Sequence, residues 1–229
     1  MNTISDRLSA ILNNIRDYEQ DFSRTKGSVT LLAVSKKQTI ASVRQAYESG
    51  QRIFGENYLQ EALPKIQSLE GKNISWHFIG RIQSNKTKAV AENFDWVHTL
   101  DRKKIAFRLN EHRAKIKRTL NVLIQVNISG EESKSGVCLD VLPDLIDDIN
   151  SLPWLTLRGV MGMPARHSDF TQQCLSFKPL MEAIKLQRQE FDTLSLGTSQ
   201  DFKAAIAVGS TMVRIGEAIF GSRKERSAF

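Results

Sequence analysis

The sequence predicts an α/β fold, a single (β/α)8 TIM barrel spanning residues 1–229 with an extra N-terminal helix. Three observations point there. Strand-like apolar runs alternate with helix-like runs through the chain, the pattern of a parallel sheet with helical crossovers. The 229 residues suffice for one large core, and no linker, composition shift, repeat or low-complexity tract divides them. Polar residues that sit oddly in apolar surroundings, Lys36, Asn57, His77, Asn127, Ser199 and Arg214, fall at the C-terminal ends of strand candidates. Closed barrels build their sites on that face, which favours a barrel over an open doubly wound sheet of similar content.

Residues 3–22 place Ile4, Leu8, Ile11, Leu12 and Ile15 on one helical stripe, so a core-packing helix precedes the repeating part. Strands are then predicted at 28–36, 51–55, 74–80, 94–99, 120–127, 156–162, 193–197 and 210–215. Helical patterns separate them at 39–49, 56–69, 85–93, 102–117, 139–150, 168–191 and 200–207, with a short final helix from 217. Strand alternation assigns faces. If Lys36 points into the barrel, so do Thr30, Leu32 and Val34, and in the last strand Arg214 points inward with Met212 between outward Val213 and Ile215.

The bulk properties exclude several classes. Cys138 and Cys174 match no metal-ligand spacing and read as reduced thiols, no stretch is apolar enough to span a membrane, and the N-terminus lacks a signal-peptide pattern, so a cytoplasmic protein is expected. No His/Cys/Asp cluster has metal-ligand spacing, and no metal is expected. The net charge of +7 lies almost wholly in residues 101–118, where Arg102, Lys103, Lys104, Arg108, Arg113, Lys115, Lys117 and Arg118 face only Asp101 and Glu111. With Ile105, Leu109 and Ile116 at helical spacing, this reads as an amphipathic helix with a solvated basic face. No aromatic stacking platform accompanies it, which weighs against nucleic acid.

Lys36 ends the apolar run Thr30-Leu31-Leu32-Ala33-Val34-Ser35-Lys36, where an ammonium is costly to desolvate unless it is neutral, paired or covalently used. Burial or a nearby cation such as Arg214 or Lys37 would favour the free amine that attacks a carbonyl. The bland alternatives are a lysine snorkelling to the barrel mouth or pairing with a carboxylate. Gly197-Thr198-Ser199-Gln200-Asp201 ends one strand and opens a helix, where Ser199 can cap the helix or offer its hydroxyl to an anion, and Arg214-Ile215-Gly216-Glu217 does the same one strand later; both are turns of the kind that hold phosphate. Glu56 at a helix start is stabilised by the helix dipole or pairs with Lys36, and His98 at a strand end reads as a satisfied structural histidine. A cofactor-free Schiff-base aldolase gripping a sugar phosphate fits the same residues.

Five motifs narrow the choice: Ala33-Val34-Ser35-Lys36; Phe54-Gly55-Glu56-Asn57-Tyr58; Trp76-His77-Phe78-Ile79-Gly80 with Gln83-Ser84-Asn85-Lys86; Ser133-Lys134-Ser135-Gly136; and Gly209-Ser210-Thr211-Met212-Val213-Arg214-Ile215-Gly216 with Ile219-Phe220-Gly221. Together, from about residue 28 to 223, they resemble the YggS-type pyridoxal 5′-phosphate (PLP) homeostasis proteins. The resemblance implies a barrel like the N-terminal domain of alanine racemase and a non-catalytic role in vitamin B6 homeostasis and cofactor delivery. It implies PLP held as a Schiff base on Lys36, with Arg214 donating to the pyridine nitrogen and Ser199, Gly216 and Glu217 holding the phosphate. Asn57 and His77 fall in motifs near the cofactor.

It further implies apo PLP-dependent enzymes as recipients. The chain ends at Phe229, so the second domain that supplies a catalytic tyrosine in alanine racemases is expected to be missing, which favours a monomer and disfavours turnover. The alternative is a racemase-type PLP enzyme, with His77 or Tyr58 as acid/base. The chain departs from the family pattern at Thr198, where methionine is usual, at Glu217, where a small hydroxyl residue is usual, and at Lys37-Gln38-Thr39, where Thr-Lys-Pro is usual. The Glu217 carboxylate would weaken phosphate binding unless it turned outward.

Overall fold

The computed structural model describes residues 3–131 and 135–221. Eight parallel strands close into a barrel in sequence order: β1 (Thr30–Val34), β2 (Ile53–Glu56), β3 (Ser75–Phe78), β4 (Trp96–Leu100), β5 (Leu120–Val126), β6 (Leu155–Gly162), β7 (Thr193–Thr198) and β8 (Met212–Ile215). The ring of helices is α1 (Ile4–Asp21), α2 (Ile40–Glu48), α3 (Leu59–Ser68), α4 (Thr87–Asn93), α5 (Lys103–Ile116), α6 (Leu142–Asn150), α7 (Phe170–Lys185), α8 (Phe202–Ala207) and α9 (Glu217–Phe220). Of the motifs quoted above, Ser133 and Lys134 lie outside the described residues.

α1 starts at a capping box in which Thr3 and Asp6 satisfy each other's backbone N–H groups. It packs against α2, α8 and α9, and Arg7 donates to the Ile219 carbonyl at 2.7 Å, tying the chain's start to its last helix. At its other end the Glu19 carboxylate accepts from the backbone of Gly27 and Val29, which fixes the entry into β1.

Two layers follow from strand alternation. Leu31, Ala33, Val213 and Ile215 join the apolar layer under the helices, whereas Leu32, Met212 and Arg214 are buried but lie outside that layer, on the face turned to the barrel axis. The β1–β8 register places Leu32 beside Arg214.

The edges differ from expectation in places. β1 ends at Val34 rather than 36, putting Lys36 in the turn that follows, half-buried rather than enclosed. α7 stops at Lys185 rather than 191 because its apolar stripe ends at Ile184, and Leu186 is exposed. The basic face of α5 is exposed as predicted, except at Arg113. Arg113 is buried and donates to the Phe94 carbonyl, Arg102 to the Ile82 carbonyl and Arg108 to the Ser84 carbonyl, while Lys103 and Arg118 pair with Asp148 and Asp95. Most of the basic run thus serves tertiary contacts.

Candidate cofactor site

The C-terminal mouth of the barrel gathers Lys36 after β1, Asn57 after β2, Ser199 after β7 and Gly216 after β8. Arg214 sits just inside, on β8. Its guanidinium is buried and donates to the Ser195 carbonyl, to Ser195 Oγ at 2.9 Å and to the Gly162 carbonyl at 3.2 Å. Among the described residues no carboxylate pairs with it; burial pushes its pKa down to about 10 against the smaller opposing effect of Asp201, which still leaves it charged at neutral pH. A guanidinium has five N–H donors. These contacts engage at most three, so donors remain for a ligand.

Behind Arg214 a hydrogen-bond chain crosses the barrel interior. Ser195 Oγ lies 3.1 Å from His98 Nδ1, His98 Nε2 lies 2.8 Å from His77 Nδ1, and His77 Nε2 lies 3.0 Å from Ser75 Oγ. Burial drives the His77 pKa down to about 3 and the His98 pKa well below its ordinary value, so both rings are neutral. The tautomers that leave no donor idle run one way: Arg214 to Ser195, Ser195 to His98, His98 to His77, His77 to Ser75. His77 also stacks on Trp96, with centroids 5.1 Å apart. The structure therefore places His77 in a sealed interior with both nitrogens engaged, where it supports the chain behind Arg214 rather than facing the mouth. His98 is satisfied, as expected, but it is the middle of that chain.

The two phosphate-type turns differ in finish. Asp201 accepts from both the N–H and the hydroxyl of Thr198, at 2.7 and 2.8 Å, which closes the turn after β7 and leaves the half-buried Ser199 hydroxyl without a protein partner. Ser199 does not cap α8, contrary to one reading of the sequence; the N-cap position is Asp201. Gly197 holds φ +91°, and a Cβ there would meet Ala205 Cβ at 2.6 Å. At Gly216 a Cβ would come 3.0 Å from the Val34 carbonyl, a tight approach that glycine spares where β8 leaves the barrel beside β1. Glu217 is exposed. Asn57 is half-buried; its amide reaches the Ile79 carbonyl at 3.5 Å, and its buried Oδ1 has no protein partner.

Glu56 does not pair with Lys36. It is buried behind the wall of the mouth, where it accepts from Lys65 Nζ at 2.7 Å and from Ser35 Oγ at 2.6 Å. Sequence reasoning missed Lys65, although it breaks the buried stripe of α3 set by Leu59 and Ala62, and missed Ser35 and Ser195 altogether.

A sequence profile of the alanine racemase N-terminal domain matches residues 7–224. The chain is 52% identical over 230 residues to the pyridoxal phosphate homeostasis protein of Pasteurella multocida, covering 96% of this chain and 98% of that protein. The chain belongs to the pyridoxal phosphate homeostasis family. A second member, from Escherichia coli strain K12, is 47% identical and covers 97% of this chain and 98% of its own length.

Among solved structures, PipY of Synechococcus elongatus with PLP bound is 29% identical, with a TM-score of 0.80 over 96% of this chain and 100% of that one. Alanine racemase from E. faecalis shares the fold at 15% identity and a TM-score of 0.74, and this chain spans 59% of its length. A lysine, an inward cation with spare donors, a hydroxyl without a partner and a glycine turn lie at or just beyond the C-terminal ends of β1, β8 and β7, residue types that suit an anionic ligand. Among the described residues no group of His, Cys, Asp and Glu is arranged to hold a metal ion, and no helix is long and apolar enough to cross a membrane.

Proposed function

We propose that this chain binds PLP reversibly through Lys36 and serves intracellular vitamin B6 homeostasis as a monomeric, single-domain carrier that passes the cofactor to apo PLP-dependent enzymes, without turnover of its own. One observation carries the reading. Arg214 is fixed inside the barrel on the strand neighbouring β1, and β1 runs directly into Lys36, so a single ligand at the mouth can meet the amine and the guanidinium together. The family's name and the PLP-bound relative supply the ligand's identity.

Lys36 would hold PLP through its side-chain amine, with one water released on attachment and one taken up on release. PLP so bound would supply an electron sink. The chain restrains that chemistry, because Arg214 stays protonated and can only donate to the ring nitrogen, leaving the ring neutral. Ser199 and the backbone of Gly216 and Glu217 hold the phosphate, and Asn57 borders the site. Racemase-type turnover would need an acid/base at the mouth, where His77 is enclosed and Tyr58 is 47% exposed.

Borohydride reduction of the PLP-treated protein followed by peptide mapping tests the reading. A pyridoxyl group on Lys36 is expected; an adduct elsewhere, or none, overturns it. Exchange of amino-acid α-protons in deuterated buffer at enzymatic rates would overturn the non-catalytic part.

A further inference from the structure

The turn that carries Lys36 is fastened from behind by α3 and the end of β2. Ser35, buried and immediately before Lys36, donates its hydroxyl to Glu56 at 2.6 Å and offers its carbonyl to Lys65 Nζ at 2.8 Å. Lys65 and Glu56 close the triangle at 2.7 Å, both buried. One helical turn before Lys65, Glu61 accepts the backbone N–H of Lys37 at 2.6 Å. The Ser35 carbonyl also accepts from Gln38 N at 3.1 Å, and Lys37 holds φ +60°. Residues 35, 37 and 38 are therefore each fixed while the Lys36 side chain projects from between them.

A buried ion pair is a weak source of stability, since replacing both partners by apolar or neutral groups is often neutral. It is a strong source of geometry, because the ammonium and carboxylate accept few alternative arrangements once desolvated. Glu56 Oε2 is buried without a protein partner, so the carboxylate bears a cost that packing alone does not require. This cluster fastens the backbone on either side of the reacting amine.

We propose that Glu56, Lys65 and Glu61 are positioning residues that set the direction of Lys36, and so the fraction of bound PLP that is covalently attached. The proposal rests on the assignment of Lys36 as the attachment point. A hydrogen-bonded strand end could hold a lysine in place; this pair instead fixes the turn after the strand, where backbone freedom would otherwise let the amine swing away from the aldehyde.

The test uses the full chain, native and in three variants: Lys65→Met, Glu56→Gln with Lys65→Met, and Glu61→Ala. Each is saturated with PLP, the total bound is measured after gel filtration, the fraction trapped on Lys36 by borohydride is read by peptide mapping, and urea midpoints are recorded separately. The double variant leaves no lone buried charge and Glu61 lies at the rim, so at least two of the three remain folded. Loss of a positioning group is expected to cut the trapped fraction or its rate of formation about tenfold in the double variant, with a smaller loss in Glu61→Ala. A merely structural role would move the urea midpoint and leave the trapped fraction at the native level in every folded variant, which overturns the proposal. A native protein that forms no Lys36 adduct overturns the functional reading as well, so the two failures are separable.

Discussion

At the scale of single residues, Arg214 is the side chain whose removal is most informative. Among the described residues the buried guanidinium donates to carbonyl and hydroxyl oxygens and to no carboxylate. Arg214→Gln keeps an amide donor but removes the charge, and a hydrogen bond to a charged group contributes roughly 1.5–3 kcal/mol. PLP affinity, followed by fluorescence titration, should fall by about tenfold or more; an unchanged dissociation constant would remove Arg214 from the site. Glu217 is the converse case. Its side chain is exposed, where water and salt screen a carboxylate from a nearby anion, so Glu217→Thr should shift the same constant by less than about threefold. Lys36 and Arg214 stand out in the sequence because a cation interrupting an apolar run is visible without a structure. Ser35 and Ser195 do not, since a serine among apolar residues has the same appearance whether it is satisfied by its own strand or bonded to a charge 21 or 19 residues away.

Elements were legible in type and order, and the misreadings concern their ends. β1 stops two residues early because the Ser35 hydroxyl and carbonyl are taken by Glu56 and Lys65, partners that belong to other elements. The turn between β7 and α8 closes on Asp201, so the sequence cue that made Ser199 a cap was correct about the turn and wrong about the acceptor. Gly197 makes that turn possible. Its φ of +91° is in the region that side chains avoid, and an added Cβ would meet both the Ala205 side chain and the Phe202 backbone, at 2.6 and 2.9 Å. Gly197→Ala should therefore cost about 1–3 kcal/mol in urea unfolding. It should also weaken inorganic phosphate or PLP binding, because Ser199 lies two residues further along the same turn. Native stability in this variant would show that the turn can relax without cost.

The whole molecule shows one polar device that no local pattern announced: a serine–histidine–histidine–serine chain through the barrel's centre, assembled from β3, β4 and β7. The helical basic run was legible as a run, but its tertiary role was not, because Arg113 is held by the Phe94 carbonyl, a contact that periodicity cannot report. The buried histidines have a consequence for the entire fold. In the native state His77 is neutral down to a pKa of about 3, and His98 is also held neutral by burial first and by its neighbours His77 and Arg214 second. Unfolding releases both to an ordinary value near 6.5, so below that pH the unfolded chain binds more protons than the native one. The stability associated with neutral, buried imidazoles is therefore fully present above about pH 7 and is lost progressively as pH falls. Carboxylates held low, such as Glu19 and Asp192, act with the same sign, but only once pH drops toward their ordinary range near 4. From pH 7 to 5 those carboxylates are silent, while Glu56, whose carboxyl burial pushes up, works against the histidines, so their share is the difference between the native chain and a histidine variant. The urea midpoint should fall across that window, and a variant carrying His77→Gln and His98→Gln should show a flatter decline from a lower starting point. A native decline no steeper than that of the histidine variant would mean that the two imidazoles are protonated in place, against the closed hydrogen-bond chain leading to a cationic Arg214.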